Sequence, residues 1–143
     1  AIETGEIIYG SQVPAGQSMD VLREKSFGEF DGMHKSHLEK LYLAVIELPE
    51  DQRWHYKQSD SMESDQEVAD RFVSALQQIA TKHPGQNILV VSHGICIRIA
   101  LMKLGYAKHE DFPPGSFKNA GYAVIEHDSN ALKLKKVIGH IKP

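Results

Sequence analysis

The stretch Asn87-Ile-Leu-Val-Val-Ser-His-Gly-Ile-Cys-Ile-Arg98 decides the fold of this chain. Its apolar run from Ile88 to Val91 has no polar residue to face solvent, which is typical of a central strand buried on both faces of a parallel sheet. After Ser92-His93-Gly94 the apolar pattern resumes with helical spacing, so the sequence predicts a helix from about Ile95 to Leu104. Ligands of open α/β sheets bind at the carboxyl ends of strands, which is where His93 lies.

His93 is therefore well placed to bind an anion. The helix that follows it offers unpaired backbone N–H groups and the positive end of its dipole, which suits a phosphate group. An imidazole can also donate a hydrogen bond to a phosphoryl oxygen or transfer a proton near neutral pH. The local pattern is equally consistent with a histidine that only closes a strand-to-helix turn. Other segments of the chain are therefore needed to distinguish the two interpretations.

The other segments alternate helices with strands. A helix is predicted from about Lys35 to Leu48, and a Ser-x-x-Glu capping box at Ser64 opens a second, strongly amphipathic helix. Two last strands, about Gly121 to Glu126 and Leu132 to Val137, are separated by turn residues at Asp128-Ser129-Asn130. This order predicts an α/β fold with helices on both faces of a sheet.

Composition narrows the class of protein. With 143 residues the chain is long enough for one domain with its own core, and we expect a single domain over residues 1–143. A net charge of −3, without a block of Lys or Arg, gives no reason to expect nucleic acid or a membrane surface as a partner. No apolar run approaches the roughly 18 residues that cross a bilayer, so we expect a cytoplasmic protein.

The cysteine and histidine content predicts neither a disulfide nor a metal site. Cys96 is the single cysteine, and its apolar neighbours favour a buried, inert thiol over a nucleophile. His34 and His37 have a spacing that a metal could use, but no cysteine or carboxylate cluster accompanies them, so a solvated helix face is favoured. We expect no metal and no cofactor.

Several segments resemble the histidine phosphatase superfamily, whose fold is phosphoglycerate-mutase-like. They correspond to its acidic-residue segment, its Gly-Glu-Ser segment, its second histidine motif and its last two strands. In chain order these are Leu22–Gly32, Met62-Glu63-Ser64, Ile88–Arg98, Asn119–Ile125 and Val137–Ile141. The resemblance covers essentially the whole chain, and it implies a three-layer αβα sandwich with a mostly parallel sheet.

The resemblance also implies roles for individual residues. Glu24 lies where the family has its proton donor, and His93 matches the second histidine, which holds the phosphoryl group together with the N–H of Gly94. Glu63 and Asn119 are candidate substrate contacts. A plain helix-start role for Glu63 and a turn role for Asn119 are equally consistent with the sequence.

Glu24 has to be protonated when it acts, because an alkoxide leaves readily only if it gains a proton as the bond breaks. Burial or a nearby phosphate would favour the neutral carboxyl group. Its two basic neighbours are typical of a surface glutamate, so the assignment depends on the resemblance. Glu29 is the nearest alternative and is interpreted as part of a turn, whereas Arg71 and Arg98 are expected to have structural roles.

One part of the family's site is not in this sequence. The family's nucleophile is a histidine in an Arg-His-Gly motif at the end of the first strand, and these 143 residues contain no such motif. The opening Ala1-Ile-Glu-Thr4 is similar to the Ala-x-x-Thr segment that follows the family's second phosphate-binding arginine. We therefore expect an N-terminally truncated chain with about the C-terminal two-thirds of the family fold, and a nucleophile encoded upstream.

The expected function is that of a phosphatase acting on a small phosphorylated metabolite through a phosphohistidine intermediate, with the nucleophilic histidine missing from this chain. Two alternatives remain open: a catalytically inactive fragment that at most binds phosphate or another anion, and phosphoryl transfer of the phosphoglycerate-mutase type. The surface loop predicted from Gln52 to Met62 does not separate phosphatase from mutase. A missing central strand would leave unpaired strand edges, which favours a homodimer.

Overall fold

The computed structural model describes residues 1–10, 17–128 and 131–141. Their helices, in chain order, are α1 (Ile2–Tyr9), α2 (Lys35–Ile46), α3 (Glu50–Arg53), α4 (Asp65–Lys82) and α5 (Gly94–Lys103). Two short 3-10 turns cover Asp20–Leu22 and Gly28–Phe30. The strands are β1 (Phe117–Asp128) and β2 (Ala131–His140). No helix within these ranges is both long enough and apolar enough to span a membrane.

The core forms where α4 packs against α5. The apolar stripe of α4 is buried as its spacing predicts, and Val68 and Phe72 are at most 3% exposed. From α5, Ile99 and Leu101 are almost fully buried. Burying an apolar side chain of this size contributes about 1.5–3 kcal/mol relative to leaving it exposed, so this contact anchors the fold.

The start of α4 confirms the predicted capping box. The Ser64 hydroxyl accepts a hydrogen bond from the Glu67 N–H at 3.1 Å, and the Glu67 carboxylate accepts one from the Ser64 N–H at 2.7 Å. Two backbone donors that lack a partner inside the helix are satisfied in this way. Glu63, a residue of the candidate site, directly precedes this cap.

The sheet is an antiparallel hairpin of β1 and β2, and its strands are longer than predicted. Ala123, Leu134 and Val137 pack against the α4–α5 core. The two strands approach closely at Gly139, where an added Cβ would lie 2.7 Å from the Cα of Gly121. Of the turn predicted at residues 128–130, Asp128 lies in the described part of the chain, where it pairs with Ala131; residues 129 and 130 lie outside it.

The segment from Ile88 to Val91 differs from its prediction as a buried central strand. In the described ranges it belongs to no sheet, and the side chains of Ile88 and Leu89 are 42% and 45% exposed. A strand is buried and hydrogen-bonded only when other strands flank it, and no described residue pairs with this one. The chain is α/β, but a mostly parallel three-layer sandwich is not confirmed, because the described sheet has two antiparallel strands.

The segment from Gln52 to Met62 is a loop over residues 54–61, as predicted, but its two ends differ from the prediction. Helix α3 begins at Glu50 and extends to Arg53, whose guanidinium donates to the carbonyls of Leu48 and Ile46 at 2.9 and 3.0 Å. Met62 is only 3% exposed. Aromatic and polar composition predicted exposure here, but the apolar side chain of Met62 joins the interior.

Candidate active site

The carboxylate of Glu24 lies at the amino end of α5. Its Oε1 accepts a hydrogen bond from the backbone N–H of Cys96 at 3.2 Å and another from the N–H of Lys25 at 2.9 Å. Cys96 is the third residue of α5, and the first N–H groups of a helix have no partner inside it. Glu24 therefore interacts with the end of α5 whose N-cap residue is His93.

His93 and Gly94 form the turn into α5. His93 is the N-cap residue, with extended backbone angles of φ −115° and ψ 155°, and its carbonyl accepts from the Ile97 N–H at 3.0 Å. Its half-buried side chain makes no capping hydrogen bond. A Cβ added to Gly94 would meet no atom within 4 Å, so the space in front of this backbone is open. An anion can approach the helix end there.

Glu63 holds the segment that carries Glu24 in place. We call the contacts of Glu63 and Arg71 with this segment the clamp. Its carboxylate oxygens accept two hydrogen bonds from Arg71, at 2.9 and 3.0 Å, and two from Arg23, at 2.8 and 3.1 Å. Oε2 also accepts from the Ser26 N–H at 2.8 Å. Partial burial raises the pKa of Glu63, but the hydrogen bonds from Arg71, Arg23 and Ser26 outweigh it and lower that pKa to about 2. The arrangement favours a structural role for Glu63 over contact with substrate.

Arg71 completes the clamp from α4. Besides Glu63, its guanidinium donates to the backbone carbonyls of Val21, Arg23 and Glu24, at 2.8, 3.0 and 3.2 Å. One side chain thus holds three carbonyls of a segment that has no regular secondary structure beyond a single 3-10 turn. The predicted structural role of Arg71 is confirmed, and its effect is to fix the backbone under Glu24.

Cys96 is buried directly beneath this segment. Its side chain is 0% exposed, and its Sγ donates to the carbonyl of Arg23 at 3.0 Å. Burial, followed by the negative charge of Glu24, raises the pKa of the thiol to about 12. A thiolate is therefore scarce at neutral pH, which agrees with the prediction of an inert thiol.

Glu29 lies in the 3-10 turn at Gly28–Phe30, as predicted, and its N–H donates to the Ser61 hydroxyl at 3.3 Å. The turn requires Gly28, which has φ +59° and packs so tightly that an added Cβ would lie 2.6 Å from the Ser61 carbonyl oxygen. Asp31 closes the turn by accepting from the Phe27 N–H at 2.9 Å. Glu29 thus has a turn role and does not compete with Glu24.

A second cluster of charged residues is buried beside the first. The Asp65 carboxylate pairs with Lys25 at 2.6 Å and with His109 at 3.2 Å, and lies 3.9 Å from Arg98. Burial raises the pKa of Asp65, but the His109 hydrogen bond and the charges of Lys25 and Arg98 outweigh it, so the pKa falls well below its usual range. Arg98 also donates to the Phe112 carbonyl at 2.5 Å, which confirms a structural contact for Arg98.

Asn119 is exposed and lies in β1, beside Ala120 with its positive φ of 60°. No hydrogen bond or ion pair among the described residues joins it to Glu24, Glu63 or His93. The structure thus places Asn119 at an irregularity of the hairpin and brings the other four candidates to the segment around the start of α5. A substrate contact for Asn119 stays a prediction.

The histidines near the start of α2 have local roles. His34 caps the helix, where its Nδ1 accepts from the Ser36 N–H at 3.3 Å, and His37 stacks on Phe30 with ring centroids 5.0 Å apart. Across residues 1–10, 17–128 and 131–141, no three His, Cys, Asp or Glu side chains are grouped so as to hold a metal ion.

Comparison with known proteins identifies the family of this chain. Over 63 residues the chain is 36% identical to a metal-independent phosphoserine phosphatase of Arabidopsis thaliana; the match covers 44% of this chain and only 25% of that protein's length. The solved structure of Bacillus stearothermophilus YhfR matches 99% of this chain and 70% of that chain, with a TM-score of 0.75 at 22% identity, and so shows a similar α/β fold. The sequence model of the histidine phosphatase superfamily (branch 1) matches residues 1–138, and the chain belongs to that superfamily.

Proposed function

We propose that this chain carries the acid and the phosphoryl-holding residues of a phosphatase that acts on a small phosphorylated metabolite. The observation that supports this most directly is the position of the Glu24 carboxyl group, which contacts the Cys96 N–H at the helix end where His93 and Gly94 leave open space. Membership of the superfamily and the likeness to a phosphoserine phosphatase support phosphatase-type chemistry.

In the proposed mechanism His93 and the Gly94 N–H donate hydrogen bonds to the phosphoryl oxygens. Donors fixed before the reaction stabilise the charge that develops in the transition state. Glu24, protonated, transfers its proton to the ester oxygen as the P–O bond breaks, so the product leaves as an alcohol. The attacking histidine forms the new P–N bond of a phosphohistidine, which water then hydrolyses. That histidine belongs to the family's Arg-His-Gly motif, which these 143 residues do not contain.

The missing motif favours one other candidate, which is binding of an anion without turnover. Without a nucleophile the covalent route is closed, and hydrolysis falls towards the uncatalysed rate. The same helix end would still bind phosphate. The two candidates therefore share a ligand and differ only in catalysis.

Two measurements test the proposal. NMR titration of this chain with inorganic phosphate should shift the amide signals of Gly94 and Ile95, and His93→Ala should weaken the binding about tenfold or more. In the complete product of the gene, assayed with p-nitrophenyl phosphate, His93→Ala and Glu24→Gln should each lower turnover about a hundredfold or more.

Matched controls are His55→Ala and Glu29→Gln, which remove an exposed histidine and a turn glutamate. Both should keep the parent binding and turnover. Turnover at the parent rate in His93→Ala or Glu24→Gln would remove that residue from the site. Phosphate binding by a product that has no turnover would leave anion binding as the function.

We also propose that residues 88–91 become the central strand of a mostly parallel sheet when another strand pairs with them. Their apolar sequence, their exposure and the match of nearly the whole chain to YhfR support this. A second copy of this chain is one candidate partner. Sedimentation over a concentration series, combined with amide exchange of residues 88–91, should then show slower exchange as dimer forms. A monomer that exchanges rapidly at every concentration would contradict the homodimer.

A further inference from the structure

A cavity lies between α2 and the α4–α5 core, and its walls combine apolar and charged side chains. Its volume is about 70 Å³, which is enough for one small ion or about two water molecules but too little for a metabolite. Part of the wall is apolar, and part is the buried cluster of Lys25, Asp65, Arg98 and His109. The exposed residue Pro114 also lines the cavity, so the cavity adjoins solvent there.

Arg98 brings to this cavity hydrogen-bond donors that lack a partner. Its Nε donates to the Phe112 carbonyl, but its terminal Nη1 and Nη2 groups make no hydrogen bond to a residue in the described ranges. The contact of Nη1 with the Asp65 carboxylate is 3.9 Å long, which is beyond hydrogen-bond distance. Arg98 is only 4% exposed, so bulk water does not replace the missing partner. Buried donors are nearly always hydrogen-bonded, which indicates an acceptor inside the cavity.

The charges of the wall favour an anion as that acceptor. Lys25 and Arg98 both form their ion pairs with Asp65, so two buried cations share one carboxylate. The ammonium group of Lys25 has three donors, and one of them is used by Asp65 at 2.6 Å. Burial lowers the pKa of Arg98, which is expected of a cation that has lost water without gaining a full counter-charge. One monovalent anion would balance the excess positive charge.

We propose that this cavity binds one small monovalent anion, of the size of chloride, between the guanidinium of Arg98 and the ammonium group of Lys25. The anion accepts from the donors that Asp65 leaves free on both cations. Lys25 belongs to the segment around Glu24, Arg98 to α5, and the apolar wall includes residues of α2. The bound anion therefore joins three parts of the fold and stabilises the folded chain. This inference is independent of the proposed phosphatase function.

The first test compares sodium chloride with sodium gluconate at equal ionic strength. Gluconate is too large for a cavity of about 70 Å³, so the comparison separates binding from general screening of charges. Chloride should shift the NMR signals of Leu38 and Tyr42 in a saturable way and should raise the free energy of unfolding in urea denaturation. Bromide should act like chloride, and gluconate should do neither.

Charge variants make the test specific, because two of them should change the affinity in opposite directions. Lys25→Met leaves one cation and one carboxylate, and should weaken chloride binding about tenfold or more. Asp65→Asn removes the competing negative charge, and should strengthen it about tenfold or more. Both variants lose the same ion pair, so a general loss of structure would not produce this opposition. Lys108→Met removes a lysine whose side chain is 59% exposed, and is the matched control that should leave the affinity unchanged.

A size variant tests the cavity without altering its charges. Val45→Phe enlarges a side chain that lines the cavity from α2, and should abolish the shift of Tyr42 by chloride. Together with Asp65→Asn it keeps the test decisive if circular dichroism shows that Lys25→Met does not fold.

Three outcomes would overturn the inference. Absence of a saturable shift of Leu38 and Tyr42 would mean that the cavity holds water only. Affinity that falls in both Lys25→Met and Asp65→Asn would show that the excess charge does not bind the ion. A chloride shift confined to the Gly94 amide, and lost in His93→Ala, would place the anion at the start of α5 and leave the proposed phosphoryl site intact.

Discussion

The two sides of the candidate site are built very differently. On one side, the backbone around Glu24 is held by Arg71 and Glu63 through charged hydrogen bonds of 2.8–3.2 Å. On the other side, the segment that leads to His93 belongs to no described sheet, and two of its apolar side chains are more than 40% exposed. A direct link between the sides is the Ser92 hydroxyl, which donates to the Leu22 carbonyl at 2.8 Å.

This contrast teaches that the segment around Glu24, the acid side, is held in place by contacts among the described residues. The segment that leads to His93, the histidine side, depends on contacts that the described residues do not supply. Charged hydrogen bonds can fix a segment without a sheet, because each guanidinium has several donors in a rigid plane. An apolar strand has no such means, since its backbone groups need neighbouring strands. The predictions below test that difference.

The largest effect is expected from Arg71→Ala. It removes the donors to three carbonyls and leaves the Glu63 carboxylate with only Arg23 and the Ser26 N–H as partners. The free energy of unfolding should therefore fall by about 3 kcal/mol, measured by urea denaturation. Arg23→Ala is the matched control. Arg23 also pairs with Glu63, but its side chain is 43% exposed, so the loss should be clearly smaller. Equal losses would show that the carbonyl contacts of Arg71 contribute nothing.

Acid should weaken the same clamp. The pKa of Glu63 is lowered from 4.5 to about 2, so its contribution to stability is complete above pH 4.5 and is lost as the pH falls towards 2. The loss in that range should be about 2 kcal/mol, and Glu63→Gln should remove part of the dependence. Asp65 also has a lowered pKa, so some slope should remain in the variant. If the free energy of unfolding, measured by denaturation at each pH, changed with pH equally in parent and variant, the clamp would be contradicted.

Loss of the cap before α4 should have a moderate effect. Ser64→Ala removes the hydroxyl that accepts from the Glu67 N–H, and should lower the free energy of unfolding by about 1 kcal/mol. Ser64→Asp keeps an acceptor and should retain most of the stability. If the cap also positions Glu63, the amide signals of residues 23–26 should shift in Ser64→Ala and remain in place in Ser64→Asp.

The smallest effect is expected on the histidine side. Leu89→Ala truncates a side chain that is 45% exposed, so the loss of stability should be below about 0.5 kcal/mol. Leu101→Ala is the matched control in the core, where the same change should cost about 2–5 kcal/mol. A large effect of Leu89→Ala would show that residues 88–91 are packed in solution and would remove the contrast between the two sides.

Much of the helical part of the fold could be predicted from the sequence. The periodicity of α4, its capping box and the apolar pattern of α5 are local signals, and the structure confirms them. The strand at Ile88–Val91 could not be settled in this way, because its burial depends on partners that are distant in sequence. An apolar run shows that a segment can be buried, but not that strands are present to flank it.

In the candidate site, too, contacts between residues distant in sequence could not be predicted. The resemblance identified Glu24 and the start of α5, which the structure brings together. The pairing of Lys25 with Asp65 across 40 residues left no local signal, and neither did the position of His109 beside them. The helix dipole alone accounts for an aspartate in the first turn of α4, so the residue type of Asp65 did not indicate buried cationic partners.

The rate at which the single cysteine is labelled reports on opening of the acid side, the segment around Glu24. Cys96 is enclosed by the segment that Arg71 holds, and its thiol can meet a labelling reagent only after that segment lifts away from α5. Because the chain has one cysteine, a single mass increase would report that one event. The rate of labelling under native conditions therefore measures how often the backbone beneath Glu24 opens, without a spectroscopic probe or a substrate.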